Sequence, residues 1–130
     1  MDHISGSTQL NSLLTQINAE GKFPISVLTD FQGLAIAWAA TNGMDPERQS
    51  AVVAFIQKAA VQVSNQLGMA ETEEISFYDI NGQHLVCRPF HVNQYGLILA
   101  VIVPYRAHSY RRATNHALRE IRHIWKTFWE

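Results

Sequence analysis

The chain has 130 residues, of which 47% are hydrophobic and 16% charged, with a formal net charge of -1; these values fit one globular domain spanning 1–130 and exclude a disordered chain. The balanced charge gives no indication of nucleic-acid binding, and a single cysteine, Cys87, excludes an internal disulfide and fits a reducing cytoplasm. There is no amino-terminal signal pattern and no run of about 20 uncharged apolar residues, so we expect neither export nor membrane insertion.

The first third of the chain predicts a helix followed by a β-hairpin. Leucine and isoleucine recur at helical spacing over 10–17, with Ser7 as the expected N-cap and Gly21 as the expected stop. Two runs rich in β-forming residues follow, 25–31 and 34–39, and a short loop containing glycine joins them. We therefore predict one helix and two antiparallel strands in this part of the chain.

The middle of the chain has clear helix boundaries. Asp45 supplies an N-cap, Pro46 suits the first helical position and Glu47 places an acid in the first turn. Gly68 can adopt the left-handed conformation in which helices end. We therefore predict a long central helix from 46 to about 67.

Three strands and a last helix are predicted after the central helix. An Asn-Gly pair at 81–82, a strong hairpin signal, separates the runs 74–80 and 83–90. The run 96–103 is apolar on both faces, which places it in the middle of a sheet, and 109–129 is amphipathic at helical spacing. The predicted fold class is α/β (α+β) in the order α-β-β-α-β-β-β-α, a five-stranded, mainly antiparallel sheet with helices on its faces.

The central helix has too little charge for a helix that faces water. In steps of 100° its residues form a wide apolar arc, which we expect to pack on the sheet: Val52, Val53, Phe55, Ile56, Ala59, Ala60, Val63 and Leu67. On the other side, Lys58 is the only charged residue between Gln49 and Ala70. That side is either covered by another element of the chain or forms a subunit interface, because interface centres are depleted of charge.

The strand predicted at 74–80 lacks the residues that protect a free sheet edge. Glu74 is followed by Ile75, Ser76, Phe77 and Tyr78, with none of the lysines, prolines or glycines that blunt edges. If this strand is an edge, a second copy can pair with it antiparallel across a two-fold axis, which would also bring the central helix beside its mate. If the strand is internal, the pattern requires no partner.

The sequence contains no recognisable catalytic motif. Glycine-rich phosphate loops, GxSxG, HExxH and paired cysteines do not occur, and Cys87 is expected to be a buried small hydrophobe. His116, Glu120 and His123 share one helix flank without a fourth metal ligand, and Asp30 lacks a neighbouring acid or base. We therefore expect no enzyme activity, no cofactor and no metal site.

Positive charge concentrates on the polar side of the last helix. Arg111 and Arg112 lie near its start, where they oppose the helix dipole, and Arg119 lies further along. This side is either a solvated face or a site for acidic groups of a partner protein, anionic lipid or phosphate. The three arginines are therefore the candidate residues for binding an outside partner.

One combination of segments resembles a known family. The run Ser-Val-Leu-Thr-Asp-Phe-Gln-Gly-Leu-Ala-Ile-Ala at 26–37, the alanine-rich central helix and the strands from Glu74 to Pro104 resemble the roadblock/LC7 family, over about residues 10–124. The resemblance implies a dimer that shares one continuous sheet through the third strand, with the two central helices on one face. It also implies a regulator or scaffold of small Ras-like GTPases, with more likeness to the bacterial activator type than to dynein light chains.

Carried over by position, the resemblance assigns residues to a dimer interface. The dimer strand would be 74–79, including Glu74, Ile75, Ser76, Phe77 and Tyr78, and the dimer helix would present Ala54, Gln57, Lys58, Val61 and Asn65. Gln32 stands where many relatives have an acidic or glycine-rich turn, which leaves the geometry of that loop open. Trp125, Phe128 and Trp129 form a heavier aromatic end than the pattern requires, and this end either covers the core or contacts a partner.

Three functions are therefore considered. The first is a dimeric protein-binding platform that regulates or scaffolds a small Ras-like GTPase. The second is a small-molecule sensor of profilin-like or GAF-like architecture, since similar five-stranded folds hold ligands between sheet and helix. The third is a binder of anionic surfaces through the basic last helix, which would weaken steeply with salt.

Overall fold

Eight elements follow one another in the predicted order. A computed structural model describes residues 5–129. The elements are α1 (Gly6–Gly21), β1 (Ile25–Asp30), β2 (Ala35–Ala40), α2 (Pro46–Leu67), β3 (Ile75–Tyr78), β4 (His84–Val92), β5 (Tyr95–Val103) and α3 (Arg111–Trp129). The predicted fold class is thereby confirmed, although β3 is shorter than the run 74–80.

The five strands form one sheet in the order β2-β1-β5-β4-β3, and all neighbouring strands are antiparallel. β5 pairs with β1 on one side and with β4 on the other, and its residues 97–101 are buried. The prediction that the doubly apolar run is central is therefore confirmed. β2 and β3 are the two edges of the sheet.

The helix boundaries were predicted better for α2 than for α1. Asp45 caps α2 by accepting the backbone N–H of Arg48, and Gly68 ends the helix at φ 65°. The N-cap of α1 is Ser5, which accepts the N–H of Thr8 at 3.1 Å, so the prediction of Ser7 was wrong. The helix begins before Ser7, because Ser5 is extended and can reach the free N–H groups of the first turn.

Both hairpin turns at the ends of the edge strands are closed by an aspartate. Oδ1 of Asp30 accepts the N–H groups of Gln32 and Leu34, each at 2.9 Å. Oδ1 of Asp79 in the same way accepts N–H groups at 2.9 and 3.0 Å in the β3–β4 turn. Asp30 therefore has a structural role. Its hydrogen bonds define the geometry of the β1–β2 loop around Gln32, which the sequence did not determine.

The helices cover the two faces of the sheet unequally. α1 and α3 pack against each other over one face and enclose the larger core. α2 lies on the other face against β1 and β2, over a smaller cluster that includes Val27, Val53, Cys87 and Ile98. The part of this second face formed by β4 and β3 therefore lies beside α2 rather than beneath it. Among the described residues, no helix has the combination of length and apolar character needed to cross a bilayer.

The aromatic end of α3 covers the core. Trp125 is 5% exposed, and its ring stacks on that of Trp129 with 4.4 Å between centroids. Trp129 in turn lies over Gly6 at the start of α1, where a Cβ would come within 2.3 Å of the indole. Of the two roles considered for this end, covering the core is the one that the packing of both tryptophans supports.

Cys87 is buried in the smaller cluster, and burial raises the pKa of its thiol to about 12. We expect a disulfide reagent to label the folded protein at pH 8 at least ~100-fold more slowly than the urea-unfolded chain, because only the thiolate reacts and a free cysteine titrates near pH ~8.5. Because the folded pKa is raised, the stability contributed by the protonated thiol is complete below pH ~8.5 and falls as the pH rises toward 12. Equal labelling rates in the two states would contradict the burial.

Candidate functional site

The apolar arc of α2 faces away from the sheet more than it faces toward it. Phe55 is 75% exposed, and Val52, Val63 and Leu67 are also exposed. The residues of α2 buried against the sheet are instead Gln49, Ser50, Val53 and Gln57. The prediction that the whole arc packs on the sheet was therefore wrong.

Close contacts beneath α2 explain why the helix presents this side to the sheet. A Cβ at Gly33 would lie 2.6 Å from the Cβ of Ala54, so the β1–β2 turn approaches the helix as closely as glycine allows. Near the start of α2, Nε2 of Gln49 donates to the carbonyl oxygen of Ala100 at 3.3 Å. Apart from Val53, the side chains of α2 buried against the sheet are therefore small or amide groups, and Phe55 and Leu67 remain outside.

The residues predicted for the dimer helix do not form one exposed surface. Gln57 is only 7% exposed and lies against the sheet, and Ala54 is half-buried beside Gly33, so neither is on an outer face. Val61 and Asn65 line a cleft at the carboxyl-terminal half of α2, and Lys58 is exposed. The exposed members of the set lie on the flank of α2 nearer the β1–β2 turn, and their assignment to a dimer helix stays a prediction.

The other flank of α2 faces the uncovered strands. Ile56 packs on the smaller cluster together with Ile75 of β3, Leu85 of β4 and Ile102 of β5, and all four stay partly exposed. Helical spacing places Val52, Ala59 and Val63 on this same flank. We call the surface formed by these three residues with Ile56, Ile75, Phe77 and Leu85 the α2–β3 face. An exposed apolar surface of this kind marks an interaction site.

β3 exposes one edge and two rows of side chains. Ile75 and Phe77 pair in register with Cys87 and Leu85, which lie on the α2 side of the sheet, and Phe77 is 67% exposed. Ser76 and Tyr78 alternate with them onto the α3 side. β3 is bonded to β4 alone among the described strands, so the predicted dimer strand is an edge of the sheet.

The opposite edge of the sheet is protected by α1. Oδ1 of Asn11 accepts the backbone N–H of Trp38 at 2.9 Å, and Nδ2 of Asn18 donates to the carbonyl oxygen of Ala39 at 2.9 Å. These side chains satisfy outward backbone groups of β2, which removes them as a template for another strand. Of the two edges, β3 is therefore the one suited to pairing with a second chain.

Glu74, just before β3, joins the sheet to α3. Its Oε1 lies 2.8 Å from a guanidinium nitrogen of Arg111 and 3.8 Å from Nε of Arg88, and its Oε2 accepts the hydroxyl of Tyr110. Burial, the hydrogen bond to Glu74 and the nearby carboxylate raise the pKa of Tyr110. Both carboxylate oxygens of Glu74 are therefore used within the chain.

Arg88, the buried member of this network, reaches α3 directly. One guanidinium nitrogen donates to Oγ1 of Thr114 at 2.9 Å and to Oδ1 of Asn115 at 2.6 Å. Burial lowers the pKa of Arg88, and the positive charge of Arg111 adds to this effect. Arg111 forms an ion pair with Glu74, and its partner-binding role stays a prediction.

The other predicted arginines lie in a different place from Arg111. Arg112 and Arg119 are exposed and border a groove together with Glu20 of α1 and His116. Nδ1 of His116 is 3.0 Å from Oε2 of Glu20, so this histidine has a partner across the groove. No three acidic, histidine or cysteine side chains are close enough for a metal within the described part of the chain.

The sequence matches neither a protein-family model nor a curated protein. Solved structures match over nearly the whole chain. MglB from Myxococcus xanthus is 18% identical with a TM-score of 0.80, covering 100% of this chain and 96% of its own. The gliding protein MglB from Thermus thermophilus is 13% identical with a TM-score of 0.78, covering 98% and 96%.

A roadblock/LC7 domain from Streptomyces avermitilis is 11% identical with a TM-score of 0.71, covering 91% of this chain and 95% of its own. At these identities the likeness defines the fold and leaves function to the residues of the site. The chain has the roadblock/LC7 fold.

Proposed function

We propose that this protein is a homodimeric, non-enzymatic platform in the cytoplasm that binds and regulates a small Ras-like GTPase. The observation that carries the proposal is the α2–β3 face, where an unprotected strand edge lies beside an exposed apolar helix flank. Antiparallel pairing of β3 with its copy would satisfy the free backbone groups of the edge and extend the sheet to ten strands. The same two-fold axis would bring the Val52–Val63 flanks of the two helices together.

The proposed dimer leaves a second surface free on α2. Phe55 lies on the side of the helix opposite Val53 and Gln57, so it points away from the sheet and is 75% exposed. Two such phenylalanines would stand on one side of the dimer, on helices nearly without charge. We call the surface formed by the two copies of Phe55 the ridge. Exposed aromatic residues are typical anchors of protein interfaces, so this ridge is the proposed GTPase site.

The GTPase part of the proposal also draws on the resemblance of the sequence to the roadblock/LC7 family and on the fold shared with MglB. The described residues offer no nucleophile paired with a general base in the ridge. The platform would therefore act by holding the GTPase in one conformation, with the catalytic groups supplied by the GTPase itself.

We expect the immobilised protein to retain a Ras-like GTPase from its native cell extract in only one nucleotide state, with GDP compared against a non-hydrolysable GTP analogue. Phe55→Ala should lower retention at least ~10-fold, because a central aromatic anchor typically contributes ~2 kcal/mol or more, while the variant stays dimeric. Mass spectrometry of the eluate and light scattering of the variant are the measurements.

Arg112→Ala with Arg119→Ala is the matched control, because both residues are exposed on α3, on the other face of the sheet. Retention should be unchanged in this variant. Loss of retention in this control would instead indicate that the partner binds the basic helix α3. If the wild-type protein retains no GTPase in either nucleotide state, the proposed GTPase binding is contradicted, whereas the proposed dimer is not affected.

A further inference from the structure

A cleft of about 300 Å³ lies at the carboxyl-terminal half of α2, away from the α2–β3 face. Its walls come from α2, from the segment that follows α2, from the end of β1 and from the end of β4. Phe31, Val61 and Pro89 supply apolar surface, and Gln57, Glu71 and His91 supply polar groups. This volume is at the lower end of the range for ligand sites, roughly 300–1,000 Å³, so the cleft suits a small molecule.

Gln57 is the polar group that packing does not explain. The residue is 93% buried, since only 7% of it is exposed, and its Oε1 accepts no hydrogen bond from the described residues. An unpaired buried amide oxygen lowers the stability of the fold. A leucine would fill the same space without that cost, so the position of Gln57 in the wall of the cleft indicates a hydrogen-bond donor as its partner.

The electrostatic surroundings favour a positive charge in the cleft. Glu71 stands at the rim, and no lysine or arginine is among the described residues that line the cleft. The last turn of α2 carries no basic residue, so the negative end of the helix dipole is not compensated there. His91 lies 3.9 Å from Glu71, and among the described residues it is the side chain that can compete for this carboxylate.

The apolar walls favour a flat ring. The rings of Phe31 and His91 meet edge to face with 5.3 Å between centroids, and Val61 and Pro89 also line the space. Aromatic faces and edges attract both planar rings and cations. A ring lying among these residues would occupy the same cleft that Gln57 and Glu71 line.

We propose that this cleft binds a small cationic ring compound, such as an aromatic amidine or amine, which donates N–H groups to Oε1 of Gln57 and to the carboxylate of Glu71. Oε1 is buried in the wall, and the terminal torsion of glutamine is soft, so the amide turns toward a donor at low cost. The site lies on the flank of α2 that the proposed dimer does not use, so it is independent of self-association and of the GTPase.

Benzamidine is the probe, and benzoate, which has the same ring with an anionic acceptor, is the matched ligand control. We expect millimolar binding of benzamidine, measured by amide chemical shifts, with the largest changes around Phe31, Gln57 and Glu71. Benzoate should bind at least ~10-fold more weakly, because the cleft offers acceptors and negative charge.

Gln57→Leu should weaken benzamidine binding ~10-fold or more, and its Tm should be equal to or above that of the wild type, because the unpaired oxygen is removed. This combination separates loss of the site from loss of the fold. Gln62→Leu makes the same change at an exposed position of α2 and should bind benzamidine as the wild type does.

Three results would overturn the proposal. They are equal binding of benzamidine and benzoate, which would leave only an apolar groove; unchanged binding to Gln57→Leu; and no chemical-shift change near the cleft at tens of millimolar benzamidine.

Discussion

Phe77→Glu is expected to convert the proposed dimer into a monomer at micromolar concentration. Phe77 is exposed on the free strand edge, on the side of the sheet that carries α2. Burial of a phenylalanine contributes roughly 1.5–3 kcal/mol, and a two-fold axis counts the residue twice. A glutamate there would be desolvated in both copies of the proposed dimer, so we expect the dissociation constant to rise at least ~100-fold. Light scattering and sedimentation velocity measure the change.

Phe128→Glu is the matched control, because it introduces the same glutamate at an exposed phenylalanine on α3. This variant should remain dimeric. A wild-type protein that is monomeric at tens of micromolar, or a Phe77→Glu variant that still dimerises, would contradict self-association through β3.

A second pair of substitutions tests which flank of α2 takes part in the proposed dimer. Val63 is 52% exposed and Val61 is 45% exposed, so the two valines are nearly equal in exposure but lie on opposite flanks of α2. Val63→Glu should weaken the dimer, whereas Val61→Glu should leave it intact. The reverse result would favour the helix face that the sequence resemblance assigns.

The boundaries of α2 and the place of β5 were predictable from the sequence because they depend on local chemistry. Asp45, Pro46 and Gly68 act on the backbone next to them, whatever the rest of the chain does. The apolar character of β5 on both faces likewise indicates burial on both sides without knowledge of the neighbours.

The face of α2 was not predictable, because a hydrophobic arc does not distinguish burial within a chain from burial between chains. Both require apolar side chains at helical spacing, so Phe55 and Val63 were assigned to the core. The deciding contacts are tertiary: Gly33 approaches Ala54, and Gln49 bonds to Ala100. Of the residues in these two contacts, only Gly33, as a glycine in a turn, could have been recognised in the sequence.

The ion-pair network was hidden for a related reason. Arg111 and Glu74 are 37 residues apart, and their pairing depends on where α3 crosses the sheet. Each residue alone is a charge in a polar segment, so the sequence does not predict that the two form an ion pair. The flanking arginine Arg112 has no such carboxylate and kept its exposed position.

Arg88→Met is expected to lower the free energy of unfolding by roughly 3 kcal/mol. The guanidinium is buried, it lies 3.8 Å from Glu74, and it donates to Thr114 and Asn115. Removing it leaves a half-buried carboxylate with less compensation and two acceptors without their donor. Urea denaturation at pH 7 measures the loss, and Arg112→Met, an exposed arginine on α3, should change stability by at most about 0.5 kcal/mol.

A double-mutant cycle decides whether Arg88 acts through Glu74. If the two side chains interact, Arg88→Met combined with Glu74→Gln should cost at least about 1 kcal/mol less than the sum of the single changes. If the losses in free energy of unfolding of the two single variants simply add in the double variant, the coupling is contradicted. Pairing with β4 would then be what holds β3 in place. Since Glu74 directly precedes β3, coupling also implies that Arg88→Met weakens the proposed dimer under conditions where the monomer stays folded. The network would then connect α3 to the strand edge at which the two copies are proposed to meet.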